Sequence, residues 1–190
     1  HNCLVGSEMC IRDRNMGFRS RAVFKLEEIL KKIDSKKRYQ NVLDIGSSPG
    51  GWSQYIIKKY DNVNVYAVDM LDMEPIDGVH FYKESIENID NIREIKKLKG
   101  IFNLVISDIA PNLSGIRVID EANIFELNIL TIKIANEYLS NDGTLVMKTF
   151  QNNMLKKLRK EMELFFKLVQ TNKPAASKKQ SGEIYLYGVK

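Results

Sequence analysis

The sequence predicts an α/β fold: a doubly wound, mostly parallel sheet with helices on both faces. Three observations carry that reading. Short apolar runs of strand character alternate with stretches at helical spacing from residue 22 to the end of the chain. One run, 102–107 (Phe102, Leu104, Val105, Ile106), is nearly unbroken in its apolarity, as a strand buried on both faces requires. An apolar strand end at Val42 and Leu43 also leads through a glycine-rich turn into 52–60, where Trp52, Tyr55, Ile56 and Lys59 fall at helical spacing.

The 190 residues suit one domain with a full core. A hydrophobic share of 44%, with charges spread along the chain and no low-complexity tract, excludes a disordered or fibrous class. No run approaches the ~18 apolar residues of a membrane-spanning helix. The net charge of +5 fits a polyanionic partner and equally fits an ordinary lysine-rich surface, so placement of the charge has to decide.

Residues 1–13 stand apart. They show neither helical nor strand periodicity, hold both cysteines (Cys3 and Cys10), and read like a translated sequencing adapter, so they are expected to be a non-native leader. Residues 14–190 form the expected single domain. Arg12 against Glu8 and Asp13 gives the leader −1 and leaves +6 for that domain. Without cysteine, the domain offers no disulfide, thiol chemistry or cysteine-based metal site.

In chain order, 14–21 is basic through Arg14, Arg19 and Arg21, and Ser20 is a plausible N-cap for a helix over 22–33. Val23, Leu26, Ile29, Leu30 and Ile33 make its apolar face, and Lys25 lies off that stripe. Strand 41–46 ends in Asp44-Ile45-Gly46-Ser47-Ser48-Pro49-Gly50-Gly51-Trp52, the strand–turn–helix geometry that offers backbone N–H groups to a small anionic ligand. A second strand, 62–68, ends at Asp69. That aspartate stands 19 residues after Gly50, near the ~20 expected of a carboxylate that grips ribose hydroxyls. A short strand at 78–82 precedes an amphipathic helix at 86–97, with Ile89, Ile92 and Ile95 inward. Strand 102–107 ends in Ser107-Asp108, where open α/β sheets put their ligands. A long helix, 118–139, is stopped by Asn141-Asp142-Gly143. Strand 144–150 is interrupted by Lys148, uncommon at a buried strand end unless paired. A basic-faced helix at 152–163, a strand at 165–171, a polar basic loop at 172–182 and a strand at 183–189 complete the chain.

Several of these stretches resemble one family. Asp44 through Trp52, with its Gly-x-x-Pro-Gly-Gly-Trp pattern, is similar to the S-adenosylmethionine (SAM) loop of FtsJ-like RNA 2′-O-methyltransferases. Arg19-Ser20-Arg21-Ala22-Val23-Phe24-Lys25-Leu26 is similar to that family's opening helix, whose lysine points into the active site. Ser107 to Gly115 resembles its SDxAPNxSG motif, and Lys173 to Tyr185 its Lys-Pro-x-x-Ser…Ser-x-Glu-x-Tyr ending. The resemblance runs from about Arg19 to the C-terminus. It implies a Rossmann-like SAM-dependent methyltransferase fold of seven strands, with the last strand placed antiparallel. It implies a catalytic tetrad of Lys25, Asp108, Lys148 and Glu183, with SAM held by Gly46, Ser47, Pro49, Gly50, Gly51, Trp52, Asp69, Ser85 and Asp108. One departure is plain: Ser85, beside Glu84, stands where the family has an aspartate near the adenine.

Methyl transfer to a ribose 2′-hydroxyl is an in-line displacement from a sulfonium, whose positive charge already activates the leaving group, so no metal is called for. Aligning the reacting atoms and removing the hydroxyl proton remain for the protein. Lys148 is the expected base. Burial, the Lys25 ammonium and the sulfonium would disfavour its charged form, while Asp108 and Glu183 favour that form and hold it in place. Arg19 and Arg21 before the first helix, with Lys173, Lys178 and Lys179 before Glu183, are the expected RNA-gripping rim.

The wording Ala110-Pro111-Asn112 lies nearer the ribosomal large-subunit branch, implying methylation of a large-subunit uridine by a cytoplasmic monomer with no membrane association; a mitochondrial address stays open. A tRNA 2′-O-methyltransferase is the alternative enzyme, and a noncatalytic SAM- or RNA-binding assembly factor the alternative class.

Overall fold

The structure, a computed structural model, describes residues 17–34, 37–177 and 180–190. The expected leader at 1–13, Arg14, and two of the rim lysines, Lys178 and Lys179, lie outside the described residues.

Seven strands form one sheet: β1 (Asn41–Ile45), β2 (Asn64–Asp69), β3 (Val79–Lys83), β4 (Phe102–Ser107), β5 (Leu139–Phe150), β6 (Leu168–Asn172) and β7 (Glu183–Val189). Their order is β3-β2-β1-β4-β5-β7-β6. All run parallel except β7, which is antiparallel to both β5 and β6. The helices are α1 (Ala22–Asp34), α2 (Gly51–Lys59), a short α3 (Arg93–Lys96), α4 (Arg117–Tyr138) and α5 (Leu155–Glu163). The predicted α/β class, the seven strands and the antiparallel last strand all stand.

Strand alternation explains the layers. On β1, Val42 faces α1 and α2, while Leu43 and Ile45 face α3, α4 and α5; on β4, Leu104 and Ile106 share the first face and Val105 the second. All six side chains are fully buried, and each contributes roughly 1.5–3 kcal/mol by leaving water. Between β1 and β4 the strand order reverses direction, which opens a crevice at their carboxyl ends.

Two elements differ from expectation. The helix read at 86–97 is a 3₁₀ turn (Ile86–Asn91) followed by α3, with Ile92 extended between them. The isoleucine spacing is right, since Ile89, Ile92 and Ile95 are buried. β-Branched residues, with Asn88, Asp90 and Asn91 competing for local hydrogen bonds, do not sustain an α-helix there. The long helix ends at Tyr138, before the Asn-Asp-Gly stop, because Leu139 already pairs with Phe102; the irregularity at 140–143, with Asp142 at φ +63°, then restores register at Thr144.

Candidate active site

The same alternation builds the face that carries the candidate site residues. Val146 and Tyr187 point toward α1 and α2, so Lys148, two residues on from Val146, and Tyr185 and Glu183, in step with Tyr187, share that side. The β5–β7 register sets Lys148 opposite Tyr185 and Phe150 opposite Glu183. Helix α1 covers this face, burying Val23, Leu26 and Ile29, and carries Lys25 over it. Ser20 accepts the Ala22 N–H at the start of α1, the place predicted for its cap.

The four residues predicted to act together are joined. Lys25 Nζ lies 2.5 Å from Glu183 Oε1. Lys148 Nζ lies 3.1 Å from Asp108 Oδ1 and donates to the Asp108 carbonyl at 2.6 Å. Tyr185 links the two pairs, its hydroxyl 3.0 Å from Glu183 Oε1 and 3.3 Å from Asp108 Oδ1. Burial pushes the Asp108 carboxyl above its ordinary range, against the pull of Lys148 and Lys25. Burial acts in the same sense on Glu183, but there the Lys25 ammonium and the Tyr185 hydroxyl outweigh it and the carboxyl lies below its usual range. Burial, then the two neighbouring carboxylates, raises the Tyr185 phenol, so it stays protonated.

The glycine-rich turn crosses the crevice. Gly46 has φ +72°, and a Cβ there would lie 2.6 Å from that of Ile109. Gly50 has φ +102° and starts α2; a Cβ there would meet Ile76 and Met73 within 3 Å. Asp69 Oδ2 accepts the Ser48 N–H and Oδ1 the Leu71 N–H, so it first holds the turn, with further lone pairs left on both oxygens. The Trp52 indole donates to the Ala22 carbonyl, and its ring packs 5.9 Å from Tyr185.

A cavity of about 800 Å³ opens at the strand ends, lined by Gly46, Ser48, Asp69, Ser85 and Asp108 among polar and small residues, and by Met70, Ile86, Ile109 and Leu127 among apolar ones. A smaller space of about 20 Å³ is enclosed by Ser20, Asp44, Ser47, Pro49, Gly51 and Trp52, and Asp108 borders both. Ser85 lines the cavity while its Oγ accepts the Glu87 N–H. Glu84 is turned to the local backbone, accepting from Ser85 N–H and Asn88, whereas Glu87 lines the cavity and had no sequence assignment.

Asp44, like Tyr185, had no role assigned from the sequence. It is fully buried; one oxygen accepts from Ser53 Oγ at 2.6 Å and Oδ1 has no partner, nor does the buried Ser47 Oγ. Burial, with the nearby Asp108 and Asp69 charges, pushes its carboxyl up to about 7. An acid inside the apolar Val42-Leu43-Asp44-Ile45 run was the available signal.

Arg19 is used differently from the expectation. Its guanidinium donates to the carbonyls of Pro49, Glu74 (2.5 Å) and Pro75 (2.7 Å), and its N–H to Gln54 Oε1. It buckles the glycine-rich turn to the β2–β3 loop rather than projecting toward a phosphate. Arg21 and Lys173 are exposed, and Lys173 Nζ donates to the Ser181 carbonyl across its loop.

A sheet with one antiparallel strand, a glycine-rich turn at its switch point and a cofactor-sized cavity walled in part by Asp108, the member of the Lys–Asp–Lys–Glu group that reaches it, define a Rossmann-like methyltransferase. The family model for FtsJ-like methyltransferases matches residues 18–190, and the chain belongs to that family. A ribosomal RNA large subunit methyltransferase E of Dechloromonas aromatica is 39% identical over 92% of this chain and 87% of its own length. The protein of that name from Buchnera aphidicola is also 39% identical, over 95% and 89%. A crystal structure of a ribosomal RNA methyltransferase from Plasmodium falciparum superposes with a TM-score of 0.78 at 30% identity, covering 90% of this chain and 97% of that one. Spermidine synthase of Thermotoga maritima, at 15% identity and a TM-score of 0.59 over 80% of this chain and 54% of its own, shares the fold alone.

Proposed function

We propose that this protein transfers a methyl group from SAM to a ribose 2′-hydroxyl of RNA, at a uridine of large-subunit ribosomal RNA. The observation that carries the reading is the joining of Lys25, Asp108, Lys148 and Glu183 into one hydrogen-bonded group that borders the cofactor cavity. The relatives named for large-subunit ribosomal RNA support the substrate.

The residues fit the cofactor. Asp69 retains acceptor capacity for a ribose diol, Ser85 and Glu87 offer polar atoms on the adenine side, and Met70, Ile86 and Ile109 supply apolar walls. The partnerless Asp44 Oδ1 and Ser47 Oγ suit an ammonium. When bound, SAM supplies a methyl already activated by the sulfonium charge.

Lys148 carries the proton chemistry. Two of its three N–H directions are held by Asp108, which leaves the third for the substrate hydroxyl. To accept a proton, Lys148 must first give one up, and the Asp108 carboxylate at 3.1 Å is placed to take it. The neutral amine, turned about its Cε–Nζ bond so that its lone pair faces the hydroxyl, then removes that proton as the oxygen takes the methyl. Lys25 and Glu183 neutralise each other, and Tyr185 keeps the two pairs in register. Exposed Arg21 and Lys173, with Lys178 and Lys179, provide the phosphate-binding rim, giving RNA affinity that falls with salt. The protein acts in the cytoplasm as a monomer; among the described residues no helix is long and apolar enough to cross a membrane.

The test is transfer of labelled methyl from SAM into bacterial large-subunit particles, with tRNA in parallel and Lys148→Ala as control. Label in the particle that survives alkaline hydrolysis as a resistant dinucleotide, and is lost in the variant, is expected. Label in tRNA alone moves the substrate, and no label with SAM retained overturns the enzymatic reading.

A further inference from the structure

The exposed apolar side chains of this protein are concentrated beside the active site. Of the ten large ones among the described residues, six stand on two segments beside it: Met70 and Leu71 after β2, and Leu113 and Ile116 between β4 and α4 with Val118 and Ile119 in the first turn of α4. Val118 is 77% exposed and Leu113 63%. Apolar clustering of this kind marks an interaction surface.

The second loop is held in that pose by its own hydrogen bonds. Asp120 accepts from Ser114 N–H at 2.7 Å, Ser114 Oγ at 2.8 Å and Gly115 N–H at 3.1 Å, and Ser114 Oγ accepts the Ile116 N–H. Gly115, at φ +82°, makes the reversal in open space. The turn and the start of α4 therefore present Leu113, Ile116 and Val118 outward, and the turn begins four residues beyond Asp108.

Charge selects the occupant. Around the turn the one arginine, Arg117, is paired with Glu121 and Asp120 is occupied by the turn's own N–H and hydroxyl groups, so 109–121 presents little free charge, whereas the loop after β2 carries Asp69, Asp72, Glu74 and Asp77 with no basic residue before Gly78. A polyanion is repelled from the Met70–Leu71 wall and tolerated along 109–119. Lys148 is recessed, its side chain 12% exposed, so a target ribose has to leave the stacked strand to reach it. That displacement uncovers the faces of neighbouring bases next to the apolar turn.

We propose that the turn over 112–119 is a base-contacting knuckle, in which Leu113, Ile116 and Val118 receive unpaired nucleobases flanking the methylated nucleotide. The proposal rests on the RNA methyltransferase reading and adds to it a source of selectivity that phosphate contacts do not supply. Electrostatic binding holds single-stranded and duplex RNA alike; apolar contact with base faces requires them unpaired.

The test is anisotropy titration of a fluorescein-labelled single-stranded 15-mer RNA and of the same strand in a duplex, across a salt series. The proteins compared are wild type, Leu113→Ser/Val118→Ser, and Leu164→Ser, a comparably exposed leucine between α5 and the edge strand β6. Wild type and Leu164→Ser are expected to prefer the single strand. The double variant is expected to lose about tenfold in single-strand affinity and with it that preference, with salt slope, SAM affinity and melting temperature unchanged. A double variant that keeps the preference, or whose salt slope falls, overturns the knuckle. Methyl transfer by wild type, assayed in parallel, distinguishes that failure from failure of the enzymatic reading.

Discussion

Replacing Asp44 by asparagine should remove a pH-dependent loss of stability that the wild-type core carries. In the folded protein the Asp44 carboxyl is pushed from 3.8 to about 7, chiefly by burial. Below pH ~4 the proton is bound in both folded and unfolded states. Between ~4 and ~7 the unfolded chain releases it and the folded chain retains it, so stability falls as pH rises through this window and then levels off. At 1.36 kcal/mol per unit, the whole effect is on the order of 4 kcal/mol, of which about 3 kcal/mol falls between pH 5 and pH 8. Asparagine mimics the neutral acid at every pH, and its amide adds a pH-independent offset. The informative quantity is therefore the slope of the difference in unfolding free energy, read from urea melts at pH 5, 6, 7 and 8. The variant should gain on wild type by about 3 kcal/mol across that range, about 6–12 °C in melting temperature for a chain of this size. Parallel pH curves for the two proteins would refute the argument, because they would mean that Asp44 ionises in the fold as it does in water.

Other outcomes follow from the hydrogen bonds of the site. Lys148→Ala and Asp108→Ala should each abolish methyl transfer while leaving the circular dichroism melt in place, since both side chains sit at strand ends; turnover at the wild-type rate in either refutes the tetrad. Tyr185→Phe removes the hydroxyl between Glu183 and Asp108 but keeps the ring against Trp52. It should lower kcat about tenfold or more, as the loss of a hydrogen bond to charged groups implies, with KM for RNA unchanged. Arg19→Lys keeps the charge but loses the fork that spans the carbonyls of Pro49, Glu74 and Pro75. It should weaken SAM binding about tenfold, measured by quenching of the single tryptophan, Trp52, without changing the salt slope of RNA binding. A reduced slope would return Arg19 to the phosphate rim.

What the sequence disclosed depended on whether a signal was local. The turn from Asp44 to Trp52, the lysine lodged in the apolar run of β5 and the acid at the end of β4 are each legible from a few neighbouring residues, because burial makes a charge in such a run conspicuous. The bracing contacts of Arg19 were not legible because its partners lie 30, 55 and 56 residues away and are backbone carbonyls, which leave no mark in composition. The segment 86–97 was misread because isoleucine at helical spacing reports which side is buried, and that side is the same whether the backbone is α or 3₁₀.

Tyr185 shows how an unassigned residue follows once register is known. Alternation along β7 puts it on the face of Glu183, and pairing puts it opposite Lys148. A phenol there has two carboxylates within reach, so its hydroxyl bridges the two ion pairs. Withdrawal of the hydroxyl leaves Asp108 to Lys148, and Glu183 to Lys25 and a long contact from the Ser177 hydroxyl. A small kcat effect for Tyr185→Phe would therefore mean that the two ion pairs act independently, and a large one that the four charges work as one group.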